Sequence, residues 1–185
     1  DYIKRYWSPW LKDDMNIAAD TFPYVHIRGD HAFIGISSAI PTWPFMANGY
    51  VSEEQCNALG EILVELEAQN KTRVIMIHHP PISGLIQPRK SLSKPYAFLD
   101  MVREFGAELI LHGHAHKDFD YTIEGMDKPI RVLGVGSASY DNEDMQKKGH
   151  YHMITLDGHG TNVQLSIEHR HYNIAKDMFE EGKQA

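Results

Sequence analysis

Two stretches decide the fold: residues 73–81, Arg-Val-Ile-Met-Ile-His-His-Pro-Pro, and residues 107–116, Ala-Glu-Leu-Ile-Leu-His-Gly-His-Ala-His. Each is a short apolar run that ends in histidines. An apolar run without alternation is the pattern of a strand buried on both faces of a sheet, as parallel sheets require. Between the two runs lie a loop with Pro80, Pro81, Gly84 and Pro88 and an expected helix over Pro95–Phe105, ended by Gly106. Upstream, Ser52-Glu53-Glu54-Gln55 reads as a capping box. The helix behind it buries Cys56, Leu59, Ile62, Leu63 and Leu66, which recur at three and four residues.

Further outward, the alternation from Tyr24 to Ala39 predicts a hairpin turning at Gly29-Asp30, followed by a loop through Pro41 and Pro44 to Gly49. Strand patterns continue at 130–135, 151–156 and 162–169, and the last ten residues read as polar and weakly helical. Residues 1–24 carry Trp7, Trp10 and Phe22 without sustained periodicity. Strand and helix alternate, and a run of strands follows: the fold class is α/β with added antiparallel strands. With no repeat, low-complexity tract or linker, residues 1–185 read as one domain.

Composition bounds the function. The chain has 185 residues, 42% of them hydrophobic and 23% charged, so it can build a core and is neither disordered nor fibrous. No apolar run is long enough to cross a membrane as a helix. The net charge of −7 argues against nucleic acid, which favours a positive surface, but admits a small phosphorylated substrate if cations reverse the local field. The single cysteine, Cys56, falls on the buried face of its helix and reads as a structural thiol, compatible with a cytoplasmic location. The 12 histidines are the unusual count.

In open α/β sheets ligands collect at the carboxyl ends of strands. His78-His79 and His112-Gly113-His114-Ala115-His116 both stand there, so two neighbouring strands deliver imidazoles to one edge. Along an extended segment His114 and His116 point the same way, and Gly113 permits the change of direction before them. Three imidazoles leave coordination positions open, as a catalytic metal site needs, and imidazole suits zinc, manganese and iron alike. The other pairs carry less. Gly149-His150-Tyr151-His152 opens a strand rather than ending one, and His169 and His171 lie on a late strand; these four read as packing or surface residues. His26, His31 and His159 fall in or near turns, and Asp30 reads as a turn residue.

The His-His-Pro-Pro and Leu-His-Gly-His-Ala-His motifs, with the Ile-Ser-Ser-Ala-Ile-Pro-Thr stretch at 36–42 and Gly-Val-Gly-Ser-Ala-Ser at 134–139, resemble the calcineurin-like metallophosphoesterases, most of all the bacterial branch of cyclic-nucleotide phosphodiesterase-like proteins. The similarity runs from about residue 20 to 170. It implies part of an α-β-β-α sandwich with mixed sheets and a hydrolase of phosphoric esters, phosphodiesters first. The implied cofactors are two divalent metal ions, manganese, iron or zinc. Carried over by motif, His78 and His114 would ligate one ion and His116 the other. His79 would be a neighbour of the site rather than a ligand, touching substrate, and His112 would face the packed side. The Asp-x-His, Gly-Asp-x-x-Asp and Gly-Asn-His motifs of the family are absent, so the chain resembles its C-terminal portion and is expected to be weakly active or inactive alone. Apolar surface left by a missing half would favour a homo-oligomer. Arg89, Lys90 and Lys94, in the loop Ser83–Lys94, could guide an anion over the metals or simply be solvated; Ser137 and Ser139 could line the pocket or merely be small residues at a strand end. A non-catalytic metal-binding module is the alternative to the hydrolase, and an acid–base enzyme without metal is a third reading.

Overall fold

The computed structural model describes residues 13–15, 22–140 and 149–182. Asp1, Trp7 and Trp10 lie outside the described residues. Six strands form the first sheet: β1 (Tyr24–Arg28), β2 (His31–Gly35), β3 (Thr72–Ile77), β4 (Leu109–His112), β5 (Phe119–Ile123) and β6 (Ile130–Gly134), in the order β1-β2-β3-β4-β6-β5. The four inner strands run parallel, and β1 and β5 are antiparallel edges. Antiparallel β7 (His150–Asp157), β8 (Gln164–Asn173) and β9 (Met178–Glu181) form a second sheet.

Two helices, α1 (Glu53–Ala68) and α2 (Tyr96–Phe105), cover one face of the first sheet. Leu59, Leu63, Leu66, Phe98 and Val102 pack there with Ile34, Ile75, Ile110 and Val132. On the other face Val74, Leu109 and Leu133 meet Ile154, Leu156, Leu165 and Ile167 of the second sheet. The apolar runs of β3 and β4 are thus buried on both sides because two different layers need them, which is why neither run alternates. The chain is a mixed α/β layered fold. Among the described residues no helix is long and apolar enough to cross a membrane.

Ser52 caps α1 as its sequence demands, its hydroxyl accepting the Gln55 amide proton at 3.3 Å. The Gln55 side chain is used elsewhere: it accepts from the Ser37 amide at 2.9 Å and donates to the Ser37 carbonyl at 3.0 Å, holding the exit of β2. Cys56 is buried as expected, and that burial raises its thiol pKa. Asp30 lies in the β1–β2 turn.

Two strands depart from the sequence reading. β5 was not expected, and the C-terminal residues form β9 instead of a helix. Both are edge strands, and β5 buries only Ile123. Their conformation comes from pairing with β6 and β8, which no local apolar pattern encodes.

Arg73 and Glu108 stand at the starts of β3 and β4, opposite the histidine end. Their side chains are 3% and 9% exposed. The guanidinium donates to Glu108 Oε1 at 2.8 Å and Oε2 at 3.1 Å and to the Phe105 carbonyl at 2.9 Å; the Arg73 amide also donates to Glu108 at 2.7 Å. This clamp fixes how the two histidine-bearing strands are aligned.

Candidate metal centre

The loops leaving β3 and β4 bring His78, His79 and His114 together. Ring centroids are 5.0 Å apart for His78–His79, 4.8 Å for His78–His114 and 4.3 Å for His79–His114. His78 Nε2 lies 2.9 Å from His114 Nδ1, so one of the two nitrogens carries the shared proton. The Gly113 amide donates to the His78 carbonyl at 3.1 Å, stitching the two loops.

His114 and His116 are not extended. Their φ angles are +66° and +52°, both left-handed, and the Ala115 amide turns back to the Gly113 carbonyl at 2.8 Å. The expectation that an extended segment aims both rings one way is therefore corrected. For residues with a Cβ this conformation costs about 1–2 kcal/mol each, and such strain concentrates at functional sites. As a result His114 turns inward to His78, while the exposed His116 rests against Tyr140, centroids 5.1 Å apart.

His114 Nε2 is buried and makes no hydrogen bond. Burial first, and then the neighbouring His79, His78, Lys90 and His116, pull its pKa from the usual imidazole value to about 4. His78 is also lowered, by burial and then by His116. Neutral imidazoles with lone pairs at hand are the form that ligates a cation.

His79 is placed differently from its expected contact with substrate. It is 5% exposed; its Nε2–H donates to the Ala47 carbonyl at 3.1 Å, and its Nδ1 accepts from the Ser38 hydroxyl at 2.7 Å. Both ring nitrogens are occupied, so the residue positions its neighbours. Burial lowers its pKa, partly offset by the Ala47 bond. His112 faces the packed side as expected, 4% exposed and 2.8 Å from the Tyr121 hydroxyl through Nε2.

A Cβ at Gly49 would lie 2.3 Å from His79 Nδ1. Gly49→Ala is expected to displace the wedged ring and lower stability by about 1–3 kcal/mol, read as a shift in the urea midpoint.

The segment carrying Arg89 and Lys90 is tied to the loop before α1. The Ala47 amide donates to the Arg89 carbonyl at 2.8 Å and the Gly49 amide to the Ser91 carbonyl at 3.1 Å. Lys90 is held close enough for its charge to act on His114. Ser137 and Ser139 pair through their hydroxyls at 3.2 Å at the surface.

A second gathering escaped the sequence reading. His150, His152, His169 and His171, expected to be packing or surface residues, share the inner face of the second sheet, where the first three meet Asp118 and His171 stacks on His150. Among the described residues, Asp118, His152 and His169 are the group of three whose ligand atoms all lie within 4.8 Å of one another. The i, i+2 spacing of each histidine pair was the available signal.

No protein-family model and no curated protein sequence matches the chain. Among solved structures, a dimetal phosphatase from Danio rerio is similar with a TM-score of 0.44 and 17% identity, over 64% of this chain and 38% of that one. The chain thus spans well under half the length of that protein.

Proposed function

We propose that the chain supplies His78, His114 and His116 to a two-cation centre that hydrolyses phosphoric esters, small phosphodiesters first. The observation that carries this reading is the buried, unbonded Nε2 of His114, set in a left-handed residue beside His78 at the carboxyl ends of adjacent parallel strands. A buried polar atom without a partner is costly, and a cation would satisfy it. The all-imidazole donor set fits iron or zinc best, and manganese where oxygen donors such as water complete its shell. Divalent cations held there would supply charge to the phosphoryl oxygens and a hydroxide nucleophile from water near neutral pH.

The protein's own groups position the reactants. His79, locked by Ser38 and Ala47, backs the His114 ring and limits its rotation. Gly113 and the left-handed turn set the direction of His114 against that support. Lys90 and Arg89 add positive charge at the rim, where an anionic ester would approach a chain of net charge −7.

The test is hydrolysis of bis-p-nitrophenyl phosphate by the full gene-encoded polypeptide with manganese present. Hydrolysis that is lost on chelation and restored by added manganese is the expected result. Turnover indifferent to chelation, or metal bound with no turnover of any phosphoester, would overturn the hydrolase reading; the second outcome would leave a metal-binding module.

A further inference from the structure

We infer that Asp118, His152 and His169 form a second divalent-cation site, distinct from the histidines of the Gly-His-x-His loop, with zinc as the ion it takes. Its construction follows from strand periodicity. Along β7, His150, His152, Ile154 and Leu156 face inward, and along β8, Leu165, Ile167, His169 and His171 do the same. The antiparallel register sets His152 opposite His169 and His150 opposite His171. One end of this inner face packs its isoleucines and leucines on the first sheet, and the other end is all imidazole. Asp118, just ahead of β5, brings a carboxylate to that end from the first sheet.

Two of the distances fit a coordination shell, the shorter being a hydrogen bond within the cluster. His152 Nε2 is 3.1 Å from Asp118 Oδ1, and His169 Nδ1 is 3.5 Å from Asp118 Oδ2. Ligand atoms about 2.0–2.2 Å from a tetrahedral zinc stand about 3.3–3.6 Å apart, and tighter polyhedra bring them closer. The rings of His152 and His169 meet edge to face, centroids 4.4 Å apart and 70° inclined, and each offers a nitrogen within 4.8 Å of the other's and of an Asp118 oxygen.

Hydrogen bonding alone does not satisfy the cluster. His169 is 9% exposed, and its Nδ1 makes no hydrogen bond. His150 Nε2 lies 2.9 Å from Asp118 Oδ1 yet also accepts the Gly136 amide proton at 3.0 Å. One nitrogen cannot accept from the amide and donate to the carboxylate at once. A cation between Asp118, His152 and His169 would replace the His152 Nε2–H to Asp118 hydrogen bond and engage the unbonded Nδ1 of His169, and His150, seated on Gly136, acts as a positioning residue. The Asp118 side chain is 24% exposed, which leaves an entry path and a position for water. The ion would cross-link the two sheets.

Equilibrium dialysis against zinc, with metal analysis, tests the site in the His114→Ala/His116→Ala variant, where the first centre is removed. One zinc per chain is expected to remain. Adding Asp118→Asn, close in size but uncharged, is expected to weaken that zinc about 10- to 100-fold or more. Adding His152→Ala and His169→Ala instead is expected to abolish it. Cobalt in place of zinc is expected to give the visible absorption of a four-coordinate ion, lost in both further variants. Zinc is also expected to slow amide exchange in β7 and β8. No zinc in the His114→Ala/His116→Ala protein, or unchanged zinc affinity after Asp118→Asn, overturns the site. Should the histidine double variant fail to fold, Asp118→Asn with a native circular dichroism spectrum decides. Neither result depends on phosphoesterase activity, so the two proposals stand or fall separately.

Discussion

On the proposed function, His114→Ala is expected to lower hydrolysis of bis-p-nitrophenyl phosphate by the full gene-encoded polypeptide by about a hundredfold or more, with folding stability little changed or raised. Groups that merely orient a metal ligand are worth about 10- to 100-fold in affinity or activity, so removing the ligand sets the upper end as a minimum. The stability expectation has a separate cause. Alanine removes a buried nitrogen that has no hydrogen-bond partner and relieves the crowding of His78 and His79 around that ring, which offsets the loss of the 2.9 Å bond between His78 and His114. The left-handed φ of +66° remains strained for alanine, so His114→Gly is the sharper comparison: it relaxes the backbone and removes the same ligand. Activity retained in both variants would remove His114 from the centre. Loss in the alanine variant with recovery in the glycine variant would show that conformation, and not ligation, was the contribution.

Arg73→Met is the substitution expected to cost most stability, about 3–5 kcal/mol in urea or thermal unfolding. It leaves the Glu108 carboxylate, 9% exposed, without its guanidinium and frees the Phe105 carbonyl from its 2.9 Å bond. Adding Glu108→Leu is expected to recover part of the loss, since the uncompensated charge goes with it. Recovery stays partial because the Arg73 amide and the Phe105 carbonyl still lack partners. A loss under about 1 kcal/mol for the single variant would mean that water reaches the pair and replaces the bonds. The clamp lies at the far end of β3 and β4 from the histidines, so the folded variant is expected to match the parent in the proposed metal binding.

Much of this architecture was readable because burial on two faces leaves a local mark. The runs at 74–77 and 109–111 are apolar throughout, and Ser52 caps α1 where the sequence calls for a cap. The position of His78, His79 and His114 at one edge follows from those runs, since adjacent parallel strands end on the same side. The direction of each imidazole did not follow. His79 turned away to Ser38 and Ala47, and His114 and His116 took left-handed backbones where no glycine announces one.

By itself, then, the sequence determined the parallel strands, the two covering helices and the edge on which the motif histidines gather, because hydrophobic periodicity and capping act within a few residues. Only the tertiary structure decided the edge strands β5 and β9, the buried Arg73–Glu108 clamp and the meeting of His150, His152 and His169 with Asp118. Those depend on register and on the contact between two sheets. A slip of one residue in β7 against β8 would send its histidines to the opposite face, and nothing in either strand alone states which register packing will select.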